Sequence, residues 1–84
     1  MNTLEFNIIY NTYIRDNNHI DYSCVIIYDG NYIMSRGLKD SNYNDMIIEC
    51  RIMLLKYLGM TKEDYSTILH NDILLDYTLV NTNN

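Results

Sequence analysis

Ser41-Asn42-Tyr43-Asn44-Asp45-Met46-Ile47-Ile48-Glu49-Cys50-Arg51-Ile52-Met53-Leu54-Leu55-Lys56-Tyr57-Leu58-Gly59 is the stretch that decides how this chain is built. At about 100° per residue it reads as one helix over residues 41–58, because its apolar positions recur at helical and not at strand spacing. Ser41 is the expected N-cap, Asp45 suits the positive first turn, and Gly59 supplies the left-handed residue that ends a helix. Met46, Ile47, Cys50, Met53, Leu54, Tyr57 and Leu58 form one wide apolar arc. Ile48, Ile52 and Leu55 form a second stripe, set apart by Arg51 on one side and by Asp45, Glu49 and Lys56 on the other. A small sheet covers one face of a helix, so the second stripe needs another cover. Its i, i+4, i+7 spacing is that of a contact ridge. Ile48, Ile52 and Leu55, with Glu49, Arg51 and Tyr43 beside them, are therefore the expected interface with a second copy or a target protein. A helix folded back from residues 73–80 is the alternative cover.

Both flanks of the helix carry period-2 patterns. Leu4, Phe6, Ile8, Tyr10, Thr12 and Ile14 share one side of a half-buried strand, with Glu5, Asn7, Ile9, Asn11, Tyr13 and Arg15 on the other. Asp16-Asn17-Asn18-His19 is a turn cluster. Ile20, Tyr22, Cys24, Ile26 and Tyr28 alternate along a second strand, and Asp29-Gly30 is the strongest short hairpin signal in the chain. A third strand runs from about Asn31 to Leu38. Residues 61–64 start a short turn or helix, and residues 66–80 suit either a strand or a short helix. The expectation is a single α+β domain over residues 1–84. It consists of a three-stranded antiparallel meander, the 41–58 helix packed on the sheet, and a fourth strand or short helix to complete it.

Eighty-four residues lie near the lower size at which one core suffices, and 48% hydrophobic residues exclude a disordered chain. There is no Pro, Trp, Ala or Gln, while Asn and Ile number 12 each and Tyr 9, a usage that points to an AT-rich genome. The net charge of −5 repels phosphate and disfavours direct nucleic-acid binding. Cys24 and Cys50 match neither a zinc motif nor a CxxC pair and read as buried free thiols of a reducing cytoplasm. No long apolar run and no signal-peptide layout is visible, so a soluble cytoplasmic protein is expected.

Chemistry-bearing constellations are sparse. His19 and His70 lie in expected loops without partners at ligand spacing, and three glycines make no phosphate loop. The strand–strand–strand–helix–strand order resembles the front part of a ribonuclease H-like domain. Ile8-Ile9-Tyr10-Asn11 stands where that family has a metal-binding Asp in a pattern like I-Y-x-D-G. Asn44-Asp45-Met46-Ile47-Ile48-Glu49 resembles its N-x-x-x-E helix motif, and Ile68-Leu69-His70-Asn71-Asp72 the acidic end of its next strand. The resemblance implies a Mg²⁺-dependent nuclease, but Asn11 replaces the first carboxylate and Asn71 takes the third position unless Asp72 slips into it. Two-metal hydrolysis needs several converging carboxylates, and amides hold Mg²⁺ poorly. The expectation is therefore a non-enzyme without cofactor or metal. In size, acidity and composition the chain resembles phage-encoded anti-defence inhibitors such as anti-CRISPR proteins. That implies an acidic binding module blocking a host protein, with a structural homodimerisation domain as a further alternative. Tyr13, Tyr32, Tyr43 and Tyr65 are expected to be partly exposed, as interface tyrosines are.

Overall fold

The computed structural model describes residues 3–60 and 75–83. In chain order the elements are β1 (Leu4–Asp16), β2 (His19–Tyr28), β3 (Asn31–Leu38), α1 (Tyr43–Tyr57) and β4 (Leu75–Asn81). The strands form one mixed sheet in the order β3-β2-β1-β4. β1, β2 and β3 are the antiparallel meander, and β4 adds parallel to β1, with Leu4 opposite Leu75 and Tyr10 opposite Asn81. A parallel neighbour requires a crossover connection, and α1 lies within it. Residues 75–81 thus settle as strand and not helix. The segments 61–64 and 66–74, with Tyr65, His70, Asn71 and Asp72, lie outside the described residues.

Local chemistry explains the boundaries. Asp29 and Gly30 both take positive φ, 53° and 74°, as a type I′ hairpin turn demands. The helix starts one residue later than the Ser41 cap expected from sequence. Asn42 is extended, its Oδ1 accepts from the Asp45 N–H at 2.9 Å, and its Nδ2 donates back to Asp45 Oδ2 at 3.0 Å. Ser41 does not cap: its Oγ turns to the Asn42 carbonyl at 3.4 Å, and its N–H donates to the Ile20 carbonyl near the start of β2. At the other end Gly59 has φ 78°. Its N–H reaches the Lys56 carbonyl and the Met60 N–H reaches Leu55, the paired bonds of a Schellman cap.

The core lies on one face of the sheet. Phe6, Ile8, Tyr22, Cys24, Ile26 and Leu75 bury against Met46, Ile47, Cys50, Met53, Leu54 and Leu55 of α1. No polar side chain is fully buried among the described residues. Two helix assignments change. Tyr57, expected in the core, is 56% exposed, since it ends the helix. Leu55, expected on the outer stripe, is 0% exposed and belongs to the core. On that flank of the helix, one turn before Leu55, Arg51 stacks 5.1 Å over the Tyr77 ring of β4, so the helix is covered there as well.

Leu54→Ala should cost roughly 2–5 kcal/mol in chemical denaturation, from lost burial plus the cavity left behind. Leu55→Asp should unfold the domain whereas Ile48→Asp should not, because Ile48 is 44% exposed. Equal melting midpoints for these two variants would show that the helix phase is wrong.

Candidate interaction surface

β1 and β2 are longer than their outer neighbours. Pairing to β4 ends at Tyr10 and pairing to β3 ends at Tyr22, opposite Leu38. Beyond these points the cross-strand pairs Tyr13–Asp21 and Ile14–Ile20 belong to a two-stranded ribbon that projects from the sheet. Such a ribbon is marginal by itself. Two clamps hold it.

The first clamp comes from the chain's end. The Thr82 N–H donates to the Tyr10 carbonyl at 2.8 Å. Asn83 then uses its side-chain amide as a surrogate peptide: its Oδ1 accepts from the Thr12 N–H and its Nδ2 donates to the Thr12 carbonyl, both at 2.7 Å. The β4 ladder is thereby extended without further strand.

The second clamp is ionic. The register of β1 and β2 slips between Ile14 and Asp16, which makes Arg15 the bulged residue. Bulges re-aim side chains, and here Arg15 Nε reaches Asp21 at 2.9 Å while its Nη2 pairs with Asp40. Asp40, at positive φ of 51°, turns its N–H onto Asp21 Oδ1 at 3.0 Å. His19 Nδ1 lies 2.6 Å from Asp16 Oδ1, and its Nε2 is 3.9 Å from Asp40. These contacts tie the ribbon to the β3–α1 connection. The Asp40 N–H, with the Arg15 guanidinium, holds the Asp21 carboxyl below its ordinary range. The Asn18 N–H and then His19 do the same for Asp16, and Asp21 raises the Arg15 guanidinium. Exposed pairs of this kind contribute little to global stability. Their effect is to fix position.

What they position is apolar. Ile14 is 76% exposed and its cross-strand neighbour Ile20 is 40% exposed, while Tyr13 stands exposed on the opposite side of the ribbon. Tyr13 Oη is held by Asn11 Nδ2 at 2.8 Å. Sequence alternation placed Ile14 and Ile20 on the core-facing side. It could not show that the helix stops short of them.

The residues expected to form an interface on α1 are distributed differently. Leu55 is in the core, Ile52 is half-buried, and Ile48 remains exposed. Glu49 pairs with Arg36 at 3.2 Å, Arg51 covers Tyr77, and Tyr43 meets Tyr10 edge-on at 6.0 Å between ring centres. The ridge is thus reduced to Ile48 and the partly covered Ile52. Asn11 and Glu49 are not brought together. Tyr10 packs against α1, so its neighbour Asn11 faces the other side of the sheet. Among the described residues no three His, Cys, Asp or Glu side chains converge on a metal-sized site. At the far end of that face lies a groove of about 520 Å³ with Glu5, Asp29 and Asp76 on its walls.

The ionic clamp has a pH signature. A carboxyl whose folded pKa is depressed stabilises its contacts above the unfolded value and loses them as pH falls through the folded one. The ribbon should therefore loosen below about pH 4, the ordinary Asp range. In an NMR titration the amides of Asp40 and Asn18 should move there while those of Leu54 and Leu55 stay. Asp21→Asn should remove the Asp40 response and keep that of Asn18. A titration that moves all four amides together would mean global unfolding and no separate clamp.

Compared with family models, with curated proteins and with solved structures, the chain finds no match.

Proposed function

We propose that this protein is a non-enzymatic binding module that acts by occupying a surface on another protein, with the β1–β2 ribbon as the contact element. The observation that carries the reading is the exposed Ile14–Ile20 pair on a ribbon fixed by clamps on both sides. Apolar side chains held in place lose little freedom on docking, which lowers the cost of association. The net charge of −5 favours a partner with a basic surface and would steer the encounter. Small size, acidity and AT-rich composition support the narrower form of the proposal: a phage or viral accessory protein that inhibits a host defence protein in the host cytoplasm. No helix among the described residues is long and apolar enough to cross a membrane. The Mg²⁺-dependent nuclease alternative has less in its favour, because Asn11 and Glu49 lie on different sides of the sheet and Glu49 is paired with Arg36.

Ile14→Asp/Ile20→Asp should keep the melting midpoint of the wild type, since neither residue is in the core, and should lose the partner. Capture from bacterial lysate by both proteins tests this. A protein retained by the wild type and absent with the double variant supports the ribbon, and equal capture by both sinks it. The mass in solution, measured without lysate, separates self-association from binding to another protein. RNA–DNA hybrid should remain intact with Mg²⁺, and cleavage that disappears in Glu49→Gln would overturn the non-enzymatic reading.

A further inference from the structure

The face of the sheet turned away from α1 carries apolar side chains of its own. Phe6 and Ile8 bury under the helix, so Glu5, Asn7 and Ile9 point to the other side. Register sets Ile9 between Val80 on β4 and Val25 on β2, and sets Asn7 beside Ile27, whose partner on β3 is Tyr32. Ile9, Val25 and Ile27 are half-buried but stand outside the core cluster, while Val80 and Tyr32 are 44% and 61% exposed. Together they form an apolar band across all four strands, and no described element covers it. At one end of the band the next row is acidic. Glu5 sits opposite Asp76, and Asp29 joins them on the wall of the groove of about 520 Å³. All three are exposed, and among the described residues none of them has an ion pair. Carboxylates set opposite each other repel, so a cation placed between Glu5 and Asp76 relieves that repulsion and pairs with both.

We infer that this face is a second docking surface, and that its occupant is an amphipathic helix of another protein with an aliphatic stripe and arginine at one end. Charge complementarity selects the basic end, and the band selects the stripe. Glu5 and Ile9 lie four residues apart on β1, about 13 Å, which about nine residues of helix span. A helix laid along β1 therefore sets aliphatic side chains on Ile9, Val25 and Ile27 while an arginine from a later turn enters the groove between Glu5 and Asp76. Ile27 lines the groove as well as the band, so the two parts are continuous. The planar, forked guanidinium suits a pair of carboxylates better than a single point charge does. A second copy of this chain is the poorer fit, since it brings a further charge of −5. The surface does not rest on the ribbon contact, because Ile14 and Ile20 lie on the α1 side of the sheet.

The probe is a synthetic helical peptide with aliphatic residues at i, i+3, i+4 and i+7 and two arginines in its last turn. Its control carries glutamates in place of the arginines. Each is titrated into the isotope-labelled whole chain and followed by NMR. The arginine peptide should move the amides of Glu5, Ile9, Val25, Ile27 and Asp76, leave those of Ile20 and Ile48 in place, and bind about tenfold more tightly than the control. Glu5→Lys/Asp76→Lys should reverse that preference at an unchanged melting midpoint, as both residues are exposed. Should this variant fail to fold, the preference of the wild type between the two peptides decides. Ile9→Thr should weaken both peptides alike. No shift on this face at millimolar arginine peptide, or equal affinity for the two peptides, would overturn the inference. Shifts centred on Ile14 and Ile20 would overturn it too, while leaving the ribbon reading in place. A wild-type mass of two chains that returns to one in Ile9→Asp would make a second copy the occupant, and the basic helix would be dropped.

Discussion

α1 buries six side chains, from Met53 round to Leu55, against one face of the sheet, and the remaining features follow from that one-sided burial. Among the described residues the fully buried apolar side chains all belong to this one layer contact, and no described element covers the opposite face of the sheet. Polar positions such as Asn7 and Asn11 on that face are consistent with it. The same contact sets the reach of the ordered sheet. A fifteen-residue helix spans only part of a thirteen-residue strand, which leaves the ends of β1 and β2 without cover.

That uncovered ribbon is where the polar chemistry concentrates. Arg15, Asp21 and Asp40 come from three different places in the chain and meet because a bulge turns Arg15 and a left-handed residue turns the Asp40 N–H. Asn83 solves the matching problem at the other edge by pairing a side-chain amide with the Thr12 backbone. Both devices satisfy backbone or charged groups without extending a strand. An apolar pair at the tip thereby acquires fixed geometry, and fixed geometry separates a contact element from a frayed turn.

The buried cysteines express the same layer contact in another way. Cys24 on β2 and Cys50 on α1 both bury in it, with Cys24 Sγ 3.7 Å from the Arg36 carbonyl and Cys50 Sγ 3.8 Å from Met46 Sδ. Charge elsewhere is handled beside the core: Arg36 pairs with Glu49, and the Arg51 guanidinium lies over the Tyr77 ring. Acidic residues on the face away from α1, Glu5 and Asp76, sit directly opposite each other on β1 and β4. Like charges at such positions are unfavourable, and the cost falls outside the core that holds the domain together.

Local pattern alone determined a good deal. Alternation from Leu4 to Arg15 and from Ile20 to Tyr28 marks two strands, Asp29-Gly30 marks the turn between the second and third, and Gly59 marks the helix end. These are short-range properties: side-chain period, the positive φ that Asp and Gly accept, and the cap a left-handed residue makes. The N-cap is Asn42 and not Ser41: the Asn42 side-chain oxygen accepts from the Asp45 N–H, while the Ser41 N–H bonds to Ile20, twenty-one positions earlier. Leu55 lies in the core, and on its flank of the helix Arg51 meets Tyr77 of β4, a strand that pairs with β1 across some seventy residues. The ribbon clamp and the parallel strand were likewise settled by tertiary structure, since each joins residues far apart in sequence and periodicity carries no information about which distant segment lies alongside.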